Sequence, residues 1–152
     1  MKQLAVVLCA TFLIMLLPAG KGFSQVVKKG STLKSFPEKI HCRAAEFNKA
    51  FLVDKGEAVQ LSFSDNFNFD GKMQSDVMKY NNLQSVIIRS PNLNNAVFHL
   101  LKITAEDNSI SYSGQIIDPQ SGEFYLLEKD TDGAYSFVKN TIENVRPVCN
   151  QN

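Results

Sequence analysis

Between residues 57 and 139 the chain repeatedly sets apolar side chains two positions apart. Val59, Leu61 and Phe63 alternate with Gln60 and Ser62. Phe69, Met73 and Val77 share one parity, and Ile110, Tyr112, Gly114 and Ile116 alternate with Ser111, Ser113 and Gln115. A period of two marks a strand with one dry face and one wet face. The stretches 85–90, 96–104, 123–129 and 134–139 are short and rich in β-branched and aromatic residues, which brings the total to seven candidate strands. Turn signals separate them: Ser64-Asp65-Asn66, Asn81-Asn82, Pro91-Asn92-Leu93-Asn94-Asn95, Glu106-Asp107-Asn108, Asp118-Pro119-Gln120-Ser121-Gly122 and Asp130-Thr131-Asp132-Gly133.

The pattern changes upstream. Ile40, Ala44, Phe47 and Phe51 are spaced by four, three and four, which is one face of a helix. Ser35 and Glu38 form a capping-box pair with Pro37 in the first turn, and Asp54-Lys55-Gly56 supplies the stop. The spacing predicts a helix over 36–52. Short connections between strands predict antiparallel neighbours in a meander. The expected fold is α+β and β-dominated: six or seven antiparallel strands in a curved sheet or partly open barrel, with one N-terminal helix at one end or across the concave face.

Residues 4–17 are an uncharged, nearly all-apolar run of fourteen after Lys2, followed by Pro18 and the small residues Gly20, Gly22 and Ser24. That length fits the apolar region of a secretory signal peptide and falls short of a bilayer span. The predicted leader is 1–24 with cleavage before Gln25. A basic, Gly-containing flexible arm then covers 25–34, a single domain covers 35–149, and 150–152 form a free tail. Cleavage removes Cys9 and leaves Cys42 and Cys149. An exported chain with two cysteines is expected to join them, here closing a loop of 107 residues. With Ile40 on the apolar stripe of the predicted helix, Cys42 falls on the opposite side. The disulfide should therefore lie on the outer face of that helix, with the C-terminal segment crossing over it.

Formal net charge is +1, from 16 basic and 15 acidic residues. Nucleic acid is not an expected partner, because such binding needs clustered Lys and Arg. Stable membrane insertion after cleavage is not expected either. His99 lies inside the apolar run 97–101 and His41 on the predicted helix, which suits structural histidines better than an acid–base pair. No G-x-S-x-G occurs, the histidines and cysteines match no compact zinc spacing, and the Asp130-Thr131-Asp132-Gly133 run lacks the later oxygen ligands of a calcium loop. No cofactor, metal or catalytic residue is expected, and the chain reads as a non-enzyme.

Aromatic side chains are the remaining resource, with 11 Phe, 4 Tyr and no Trp. Phe67 and Phe69 stand in an Asn/Asp-rich stretch, and Tyr80, Tyr112, Tyr125 and Tyr135 could line a ligand face. These six form the candidate binding surface. The leading expectation is an exported, non-catalytic domain that binds a protein, a peptide or the cell surface. One alternative is a β-barrel carrier of a small apolar ligand. Another is a pro-segment or inhibitor module of an exported peptidase. The strand Tyr112-Ser113-Gly114-Gln115-Ile116, with Phe124-Tyr125-Leu126 and Tyr135-Ser136-Phe137-Val138-Lys139, resembles the β-rich pro-segments of exported metallopeptidases over about thirty residues, without a catalytic or inhibitory signature. A large cavity would favour the carrier. A filled core with an exposed strand edge would favour partner binding by strand addition.

Overall fold

The structure, a computed structural model, describes residues 33–141. The leader, most of the arm, Cys149 and the tail lie outside the described residues. Eight antiparallel strands run as a meander: β1 (Lys39–Cys42), β2 (Ala58–Ser64), β3 (Phe67–Lys79), β4 (Leu83–Ser90), β5 (Ala96–Thr104), β6 (Ile110–Ile117), β7 (Glu123–Lys129) and β8 (Tyr135–Thr141). One helix, α1 (Ala44–Ala50), stands between β1 and β2. The sheet order is β1-β8-β7-β6-β5-β4-β3-β2, so the first strand pairs with the last and the sheet rolls into a nearly closed barrel.

The eighth strand comes from residues that the spacing assigns to a helix. Instead of continuous helix over 36–52, residues 39–42 are extended and pair with β8, Ile40 facing Phe137 and Cys42 facing Tyr135. Helix is confined to seven residues, whose N-cap position, Arg43, makes no side-chain capping bond. No α-helix starts at Ser35. Residues 33–35 make a 3-10 turn instead, closed by Phe36 N–H donating to Leu33 C=O at 3.1 Å. Ile40 and Phe47 do face one core, from two different elements. The pairing partner of β1 lies nearly a hundred residues away, and no local pattern announces it.

Cys42 shifts with that correction. It sits on the same face of β1 as Ile40, half-buried against the core, rather than on the outside of a helix. Its thiol lies 3.3 Å from the Ile40 carbonyl. The predicted bond to Cys149 lies outside the described residues.

Alternation holds in most strands. Val59, Leu61, Phe63, Phe69, Met73, Phe98, Leu100, Ile116 and Phe137 are buried. Val77 departs from it because a β-bulge between Met73 and Ser75 inserts one residue and reverses the parity of the rest of β3. Val77 therefore reaches solvent. Each predicted turn falls in a turn or bend, except that Pro91–Leu93 form a short 3-10 helix. Asn94, Asn95 and Asn108 take left-handed φ values of 56°, 59° and 64°, which asparagine accepts better than branched residues. At Asp130–Gly133, Gly133 (φ 88°) closes a hairpin by donating to the Asp130 carbonyl at 3.0 Å.

The barrel interior is packed with rings. Phe137 touches Phe47, Phe63, Phe67, Phe98 and Tyr125, mostly edge to face, with centroids 5.1 to 6.4 Å apart. Helix α1 covers the end where β6 and β8 begin. Phe47 enters beside Tyr112 and Tyr135, and Asn48 accepts from the Tyr112 hydroxyl at 2.5 Å. The segment 33–38 covers the other end. Leu33 is fully buried, Phe36 packs on Phe67, and the Tyr125 hydroxyl donates to the Pro37 carbonyl at 2.6 Å. Among the described residues no helix is long and apolar enough to cross a membrane.

Candidate functional site

The sheet is broken at one place, the seam between β1 and β2. Among the described residues, a single backbone hydrogen bond joins the two edges, from Arg43 N–H to Phe63 C=O at 3.1 Å. On the β8 side the ladder is regular. Lys139 N–H donates to Glu38 C=O at 2.8 Å, which sets the phase of the alternation. Residues 38, 40 and 42 therefore spend their backbone groups on β8. Residues 39 and 41 turn theirs toward the seam. Arg43, of the same parity, makes the one bond that crosses it.

On the β2 side, Glu46 of α1 does the work of a missing strand. Its carboxylate, 7% exposed, accepts from Ser62 N–H at 3.0 Å and from the Lys49 ammonium at 2.6 Å. The Lys49 hydrogen bond, joined by the Ser62 amide and the Arg43 charge, holds the Glu46 carboxyl below its usual range against the opposing effect of burial. The upper part of the seam is thus sealed by α1. The lower part widens into a cleft of about 210 Å³ lined by Pro37, Lys39, Ile40, His41, Ser64, Asn66 and Phe67. Its floor is apolar, from Ile40 and Phe67, and its rim is polar. Two exposed ion pairs flank it, Lys39 with Asp130 at 3.5 Å and Arg43 with Asp65. Pairs so exposed hold little energy and yield readily to a competing group.

The six predicted aromatic side chains do not form one surface. Phe67, Phe69 and Tyr125 are fully enclosed and Tyr135 nearly so. Tyr112 is half-buried against Phe47, Phe51 and Tyr135. Tyr80, in the β3–β4 turn, is 82% exposed and stands apart from them. The rings are spent on filling the barrel. Burial drives the Tyr125 hydroxyl upward from its usual range, with the Glu38 and Glu123 charges adding to the effect. Phe67 still touches the site, because its ring forms part of the cleft floor.

The histidines are placed singly. His41 is exposed on β1, with Nδ1 3.2 Å from the Ser136 hydroxyl, and His99 is half-buried on the outer face, with Nε2 3.0 Å from the Ser85 hydroxyl. Both serines are buried, and neither lines the cleft at the seam. No group of three or more His, Cys, Asp or Glu side chains suited to a metal occurs among the described residues. Burial pushes the Cys42 thiol up to about 12, far from the range of a reactive thiolate.

Sequence reasoning missed the seam, since it assigned β1 to a helix. The one available signal was the period-two run Lys39-Ile40-His41-Cys42, four residues long and equally compatible with a helix start. In comparisons with protein-family models, with curated proteins and with solved structures, nothing matches this chain.

Proposed function

We propose that the chain is an exported, non-catalytic binding domain that takes an extended polypeptide segment as an added strand along the β1–β2 seam. The observation that carries this reading is the pairing of a ring-filled interior with a broken sheet. Rings occupy the space that a carrier's ligand would need. The seam leaves the backbone groups of residues 39 and 41 aimed at an adjacent cleft. An incoming strand meets those groups with its own backbone and sets alternate side chains on Ile40 and Phe67. A protein or peptide partner outside the cell fits that chemistry. The leader pattern in residues 1–24 supports export, and the Cys42–Cys149 pair supports durability there.

A photo-crosslinking side chain at position 41 of the exported full-length chain tests the reading. Position 128, exposed on β7, serves as the control. One extended peptide should be captured at 41 and not at 128. Lys39→Pro, which deletes one seam-facing N–H and leaves the β8 ladder intact, should abolish capture, while Lys39→Ala should retain it. Capture that survives Lys39→Pro, or none at 41, overturns the proposal.

A further inference from the structure

We infer that the open edge of β3, residues 75–79, pairs antiparallel with the same edge of a second copy of this chain, with Val77 opposite the second copy's Val77 on a two-fold axis. This edge is separate from the seam, since β2 lies between them.

Strand β2 accompanies only the first part of β3. Its first residue, Ala58, pairs with Lys72, and Gly56 and Glu57 add the last two bonds, both to Met73. Past Met73 the strand continues to Lys79 with β4 on one side. Among the described residues no backbone group bonds its other side. The phase of the ladder shows which groups are left open. Asn82 C=O accepts from Thr104 N–H on β5 at 2.9 Å. Gln84 and Val86, of the same parity, therefore face β5, while Leu83, Ser85 and Ile87 face β3. Their partners Lys79, Val77 and Ser75 spend their backbone groups on β4. Asp76 and Met78 aim theirs at the open side.

Apolar surface gathers on the same stretch. Among the described residues five large apolar side chains stand exposed, Leu52, Val77, Met78, Tyr80 and Ile110, and three of them fall within residues 77–80. Residues 75–79 contain no proline to guard the edge, and the bulge lies before Asp76.

The sequence of this edge complements itself in one register. A two-fold axis normal to the sheet sets residues of the same parity opposite each other. An axis at Asp76 opposes two carboxylates, and one at Lys79 opposes two ammoniums. An axis at Ser75 falls on the bulge. An axis at Met78 needs Tyr80 in the ladder, and Tyr80, at φ 58°, has left the strand. An axis at Val77 avoids all four faults. Asp76 and Met78 then exchange both backbone bonds with the second copy's Met78 and Asp76. The two Val77 side chains meet as a non-hydrogen-bonded pair, the closer of the two kinds, and Lys79 faces a serine, Ser75.

The contact is small, so the dimer should be reversible and its population should rise with concentration. Sedimentation equilibrium of the exported full-length chain measures it. Val77→Lys and Val77→Glu each set like charges on the axis and should weaken dimerisation about tenfold or more. Mixed one to one, the two variants should dimerise again, because the axis then joins opposite charges; recovery also shows that both variants fold. Ile110→Lys, exposed at the same end of the barrel on β6, should leave the dimer unchanged. A chain that stays monomeric at millimolar concentration overturns the inference. So does a dimer that the single variants leave intact, which another surface must form, and so does a mixture that fails to recover while Ile110→Lys keeps its dimer. Capture of a different exported protein by a photo-crosslinker at position 77, with the chain itself monomeric, assigns the edge to that protein and overturns the second copy.

Discussion

Replacing Glu46 by alanine strips the β2 edge of the acceptor that stands in for a ninth strand. The Ser62 N–H, bonded to the carboxylate at 3.0 Å, loses its partner at a site that α1 covers. A hydrogen bond to a charged group contributes about 1.5–3 kcal/mol. The one methylene that alanine lacks, Cγ, is buried with it and adds about 0.8 kcal/mol. Lys49 is more than half exposed and its pairing adds only about 0.3 kcal/mol. Alanine's helix preference returns about 0.5 kcal/mol. The net loss is about 3 kcal/mol, which for a domain of this size lowers the melting temperature by about 10 °C. Glu46→Gln keeps an oxygen for Ser62 and should cost about 1 kcal/mol. The folded carboxyl is held below its usual 4.5, so its contribution is complete above the unfolded value and is lost as pH falls through the folded one. The gap between wild type and Glu46→Gln should therefore close on acidification below about pH 4. Urea denaturation followed by circular dichroism, with hydrogen exchange at Ser62, measures all of this. An alanine variant within about 0.5 kcal/mol of wild type, with Ser62 still protected, would refute the claim that Glu46 seals the edge.

Two further outcomes are expected from the packing. Gly114→Ala should destabilise the barrel by about 2 kcal/mol or more, because an added Cβ would lie 2.6 Å from the His99 carbonyl oxygen and 3.3 Å from Leu100; thermal melts compare it with Gly133→Ala, where the opposition is backbone φ rather than space. After reduction, Cys42 in the native chain should react with iodoacetamide at pH 8 at least a hundredfold more slowly than in urea, since burial pushes its thiol up to about 12; equal rates by mass spectrometry would contradict the half-buried placement.

The parts of the fold that were legible in the sequence are those governed by neighbours in the chain. Alternation in 58–64 and 110–117 comes from the geometry of a single strand, and Asn94, Asn108 and Gly133 mark turns because their own backbone preferences do so. The bulge at Met73 and Ser75 was invisible for a different reason. It is defined by two strands together, and Gln74 in isolation looks like any other strand residue. The aromatic surface failed on a similar ground. Nothing in Phe67-Asn68-Phe69 distinguishes rings that point into a barrel from rings laid on a loop. That distinction belongs to Phe98 and Phe137, which receive them.

By itself the sequence determined a β-dominated antiparallel meander with one helix, because period-two patterning and turn residues are local properties. Tertiary structure decided that residues 39–42 are a strand, that among the described residues a single backbone hydrogen bond joins the two edges of the rolled sheet, and that Glu46 reaches across to Ser62. Each of these depends on groups 16 to 99 positions apart in the chain. A short segment such as Lys39-Ile40-His41-Cys42 has too few residues to fix its own conformation, and the unpaired edge of β8 supplied the hydrogen bonds that chose strand over helix.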